Sequence, residues 1–92
     1  MDFGITFPRT GVAEQSSPLQ YLTNFAREAE QMGCAYGVVG DRLEAGIDPF
    51  SVLTAIAEAS GRMRLATSVV VLPPRGILVT SKLYASLDVL TG

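Results

Sequence analysis

Histidine is missing from this chain, cysteine occurs once, and no apolar run is long enough to span a bilayer. Each absence removes a class of function. With Cys34 alone no internal disulfide can form, and without a Cys/His cluster no zinc site or other metal centre is expected. A single thiol suits a reducing cytoplasm. No apolar stretch reaches the ~18 residues that a membrane-spanning helix needs. Met1-Asp2-Phe3-Gly4 puts an acid where a secretory signal would carry bases. The seven basic residues are scattered, never form a stripe and are outnumbered by nine acids. Neither DNA nor RNA is therefore an expected partner.

What is present is apolar surface: 48% of the 92 residues are hydrophobic and only 17% charged. That balance is globular, and it suits parallel strands buried between other elements. At this length a single domain buries only about 60 to 65% of its surface, so its core is small.

The pattern along the chain alternates between two periods. Phe3, Ile5 and Phe7 alternate with small or polar residues over 2–7, which reads as a strand that Pro8 ends. After a loop over 9–16, Ser17 is placed to cap a helix with Pro18 in its first position and Gln20 as a capping-box partner. The expected apolar stripe of that helix is Leu19, Leu22, Phe25, Ala26, Ala29 and Met32, with Gly33 as its stop. A short apolar run over 35–39 reads as a second, buried strand. Asp48 then caps a second helix with Pro49 first, followed by Phe50, Leu53, Ile56 and Ala57, and an end is expected at Gly61. The β-branched run over 65–72, with Val69, Val70 and Val71 in a row, predicts a third strand buried on both faces and ended by Pro73 and Pro74. A third helix is expected from Ile77 to Leu90, with Leu83, Leu87 and Leu90 on one side.

The order is βαβαβα, with a repeat of roughly 30 residues, the spacing of right-handed crossovers. Three parallel strands by themselves leave two open edges, so the chain is expected to be incomplete or to pair with something. The turn Pro8-Arg9-Thr10-Gly11 lacks the G-x-G-x-x-G of a dinucleotide-binding sheet. Long loops follow the first two strands and short ones precede the second and third, which favours the first three βα units of a (β/α)8 barrel of TIM type over an open sheet.

Five segments, in order, carry a family resemblance: Met1-Asp2-Phe3-Gly4-Ile5, Ala29-Glu30-Gln31-Met32-Gly33, Val39-Gly40-Asp41-Arg42, 66–73 (ATSVVVLP) and 86–92 (SLDVLTG). Together they resemble the N-terminal third of the bacterial luciferase-like monooxygenases. The resemblance implies a (β/α)8 barrel and an oxidoreductase acting on a small organic substrate. It also implies reduced flavin mononucleotide (FMN) with oxygen, or an 8-hydroxy-5-deazaflavin coenzyme, as cofactor. In the family a non-prolyl cis peptide in strand three supports the flavin ring, and the matching bond here is Ser68-Val69. Thr67, Ser68 and Val69 are thus the cofactor-binding candidates, with plain strand packing as the alternative.

The substrate-pocket candidates lie at the C-terminal strand ends, where barrel chemistry occurs. They are Phe7 and Arg9 after strand one and Asp41 and Arg42 after strand two, and each has a simpler reading as core or solvated surface. Many family members carry histidine at or next to the Asp41-Arg42 position. Its absence here leaves the catalytic residues unassigned. Arg75 reads as a contact to phosphate or to water, and Cys34 as packing at the opposite end. Two other functions fit the pattern: a non-catalytic fragment that self-associates as a homo-oligomer through its strand edges, and a small open-sheet binding domain.

Overall fold

The computed structural model describes residues 2–8, 11–42 and 46–92. Their order is β1 (Gly4–Thr6), α1 (Pro18–Gln31), β2 (Tyr36–Val39), α2 (Pro49–Ile56), β3 (Arg64–Thr67), α3 (Leu72–Arg75) and α4 (Ile77–Thr91). The strands form one parallel sheet in the order β1-β2-β3, giving a mixed α/β structure in which strands alternate with helices.

Register decides which residues meet the helices. Ile5, Gly37 and Leu65 stand in one rank across the sheet, and Thr6, Val38 and Ala66 in the next. Neighbouring ranks point to opposite faces. One face carries Phe7, Gly37, Val39 and Met63, all buried, with Ile5 and Leu65 half-buried beside them. The other face is open: Gly4, Thr6, Tyr36, Arg64 and Ala66 are exposed and Val38 is half-buried. Helix α2 is central on the covered face, in contact with α1, α4, β2 and β3. Gly37 permits the tightest part of this packing, because a Cβ there would stand 2.5 Å from Cε2 of Phe7.

The helices follow local chemistry with some corrections. At the start of α1 Pro18 takes the first turn as expected, but the Ser17 side chain makes no capping bond, and only its carbonyl serves, accepting the Tyr21 N–H at 2.9 Å. The other end is a Schellman stop. Gly33 sits at φ +89°, its N–H donates to Glu30 O and the Cys34 N–H donates to Ala29 O. The buried stripe of α1 is narrower than expected. Leu22, Ala26 and Ala29 are buried, whereas Leu19 and Met32, at the helix ends and the margins of the stripe, are exposed. Asp48 caps α2 as its spacing predicts, accepting the N–H groups of Phe50 and Ser51 at 3.0 and 3.2 Å. Helix α2 ends at Ile56, and a turn carries the chain on to Gly61.

The third strand differs most from expectation. It stops at Thr67, not Leu72, and Val69 is 73% exposed rather than buried on both faces. Ladder bonding ends where the Ser68 N–H donates to Val39 O, and the Val71 N–H goes to a side chain instead. Pro73 and Pro74 lie within α3, at first-turn positions whose N–H groups need no helical partner. In α4 Leu83 and Leu87 are half-buried against the core as predicted, but Leu90 is exposed and Thr80 is the buried residue.

Candidate functional site

The C-terminal strand ends bring together Phe7, the stretch 40–42 and the stretch 68–71. Of the pocket candidates, Arg9 lies outside the described residues. Phe7 stands on the helix side of the sheet, 1% exposed, with its ring centroid 5.1 Å from that of Phe25. It packs the core and presents no surface to the open face. Arg42 is exposed at the rim.

Asp41, its neighbour, has a fully buried side chain whose two oxygens are both engaged. Oδ2 accepts from the Val71 N–H and from Nε of Arg75, each at 2.8 Å, and Oδ1 accepts from Nη2 of Arg75 at 2.7 Å. This is the two-pronged guanidinium–carboxylate geometry that makes such pairs strong and directional. Arg75 is thus turned inward onto Asp41, with 15% of its side chain still exposed. Its Nη2 also reaches Oδ1 of Asp48 at 2.8 Å, so the cap of α2 and the end of β2 share one cation. The Arg75 hydrogen bond holds the Asp41 carboxyl below its ordinary range, reinforced by the Val71 N–H and opposed by burial. The same bond raises the Arg75 guanidinium above its usual value, so the pair stays ionised.

Aromatic packing extends this assembly to the other side of the β3 end. The Arg75 guanidinium lies over the Phe50 ring, 5.5 Å from its centroid. Phe50 meets Tyr84 of α4 edge to face at 5.1 Å, and the Tyr84 hydroxyl is hydrogen-bonded to Oγ1 of Thr67. Thr67 thus points to the helices through its hydroxyl. Ser68 and Val69, joined by a cis peptide, are exposed beyond it. Beside them on the open face stand the small side chains of Thr6, Val38 and Ala66.

Asp41, Phe50, Arg75 and Tyr84 thus gather around one segment. The sequence offered no local signal for this, since Asp41 and Arg75 are 34 residues apart and Tyr84 is 17 from Thr67. A larger depression of about 560 Å³ lies at the opposite strand ends, lined in part by Glu30, Cys34, Arg62 and Arg64. Its Glu30 carboxylate is already occupied by the Arg62 N–H.

No curated protein matches the sequence. The family model of the luciferase-like monooxygenases matches residues 1–92, the whole chain. The parallel βα order fits that family, and the chain belongs to the luciferase-like monooxygenases.

Proposed function

We propose that this chain supplies the first three βα units of a (β/α)8 barrel oxidoreductase, and that its Thr67–Val69 segment carries a flavin-type ring, FMN or the deazaflavin coenzyme. The observation behind this reading is the open platform at the end of β3, where Ser68 and Val69 are exposed among small side chains while Phe7 and Asp41 at the neighbouring strand ends are buried. Val69 offers an apolar face for a flat ring, and Ser68 a hydroxyl for a polar edge. The covered face of the sheet excludes water behind the segment, and Arg42 stands at the rim as a charged contact for a small substrate. When bound, a reduced flavin supplies electrons to oxygen, whereas a deazaflavin supplies a hydride. The chain itself binds and orients.

Fluorescence titration of the protein expressed from its complete gene tests this, with FMN and the deazaflavin coenzyme each added in turn. Saturable binding of one is expected, with Val69→Asp weakening it about tenfold or more, because a carboxylate would lose its hydration against the ring. Failure to bind either compound overturns the reading.

A second reading is favoured by the exposed Ile77, Leu78, Val89 and Leu90 of α4 and by the absence of a second neighbour at β1 or β3 among the described residues. Here the short chain self-associates as a homo-oligomer and catalyses nothing. Intact mass from the native source, followed by light scattering, separates the two. A protein of about 250 residues or more supports the barrel, and a 9.8 kDa chain that scatters as an oligomer supports the second reading.

A further inference from the structure

Two hydrogen bonds from side chains of other elements grip the exposed segment after β3, one at each end. The Tyr84 hydroxyl holds Thr67, and the Asp41 carboxylate holds the Val71 N–H. Between those anchors the Ser68 N–H still reaches Val39 O. The two anchors are themselves joined, because Arg75 grips Asp41 and lies over Phe50, whose ring packs on Tyr84. A closed circuit therefore runs from Thr67 through Tyr84, Phe50, Arg75 and Asp41 to Val71. Asp48 fixes Arg75 from a third direction and is held in turn as the cap of α2.

We propose that Asp41, Arg75, Phe50 and Tyr84 form a bracket whose function is to position residues 68–70 for the ring they carry. All four are positioning residues: both Asp41 oxygens are occupied, the Tyr84 hydroxyl is on Thr67, and Arg75 is turned onto Asp41, Asp48 and Phe50. This rests on the cofactor reading above. It adds that affinity for the ring depends on side chains from the loop after β2 and from α2, α3 and α4 that do not touch it. An exposed segment between two fixed points keeps one geometry, and an error of about 1 Å in such a geometry is costly to function.

The experiment uses the protein from its complete gene and three variants. Asp41→Asn keeps the shape of the carboxylate but removes its charge. Tyr84→Phe keeps the ring on Phe50 and removes only the hydroxyl, which protects the test should Asp41→Asn fold poorly. Leu22→Ala, in the core under α1, is the control for general destabilisation. Hydrogen exchange read by mass spectrometry is measured first, without cofactor. The bracket predicts faster exchange confined to 67–71 in Asp41→Asn and Tyr84→Phe, but not in Leu22→Ala. Wild-type exchange over 67–71 in both bracket variants overturns the bracket whatever the cofactor does.

FMN and deazaflavin titrations follow, with the visible circular dichroism of the bound ring as a second readout. Affinity is expected to fall about tenfold in the bracket variants, with an altered ring signal, and to stay near wild type in Leu22→Ala. Loosened exchange with unchanged affinity and signal overturns the positioning role, as does an equal loss in Leu22→Ala. A wild-type protein that binds neither compound defeats the cofactor reading itself, and that is seen before any variant is made.

Discussion

The two long helices of this chain, α1 and α4, are nearly equal in length and use opposite means of attachment. Helix α1 is held by apolar packing: Leu22, Ala26 and Ala29 are buried under it, and Phe25 meets Phe7. Helix α4 buries only Thr80 completely, while Ile77, Leu78, Val89 and Leu90 face outward. Beyond the half-buried Leu83 and Leu87, it is tied down by Tyr84, through a hydrogen bond to Thr67 and an edge-to-face contact with Phe50. Position in the sheet accounts for the difference. Helix α1 joins β1 to β2, two strands that pair with each other, whereas α4 follows β3, the last strand in the order. Apolar burial is non-directional and merely holds α1 in place; the directional bonds near α4 also fix the geometry of the segment they reach.

Breaking the polar side is expected to have the largest effect. Arg75→Ala leaves the Asp41 carboxylate buried without its cation, and removing one partner of such a pair costs about 3–5 kcal/mol. Denaturant midpoints measure this. The pair also sets an acid limit. Asp41 titrates below its ordinary value in the folded chain, so its contribution is fully present above the unfolded value of ~3.9 and is lost as pH falls below that through the lowered folded value. Stability measured from pH 6 downward should fall steeply below about 4 in the wild type and less steeply in Asp41→Asn.

Breaking the apolar side is expected to cost somewhat less. Ile56→Ala empties a fully buried site in α2, between the two long helices, for about 2–4 kcal/mol. The two changes differ more clearly in place than in size. Hydrogen exchange should spread over the whole core in Ile56→Ala and concentrate at 67–71 in Arg75→Ala; identical maps would erase the distinction drawn between the two helices.

The same division marks what was legible in the sequence. Helix ends carry their chemistry within a few residues, so Pro18, Gly33 and the Asp48-Pro49 cap could be read directly, and with them the βα order. The bracket could not be read, because Asp41 and Arg75 meet only after two strands have paired and no periodicity links them. The valine run misled for a related reason. Its β-propensity describes side chains that fit a pleated surface, but the Val71 N–H found a better acceptor in Asp41, and the strand ended four residues before that bond. The Ser68-Val69 bond was found through family likeness alone, since nothing in composition or spacing marks it.

The smallest effect sharpens the comparison from the other direction. Val89 and Leu90 are 81% and 74% exposed, so changing both to Ser in the 92-residue chain should move its stability by no more than about 0.5 kcal/mol. In the complete barrel proposed here, the next βα unit packs beside α4 and covers part of that face. The same double change should then cost more than about 1 kcal/mol, because two large side chains would lose burial that the short chain never gave them. Parallel chemical denaturation of the two lengths decides it. A penalty that appears only in the longer protein means that α4 becomes packed as α1 already is, and that the contrast between them comes from the last strand's missing neighbour. An equal, negligible effect in both would mean that α4 stays open, and the bracket would then be its main tie to the sheet.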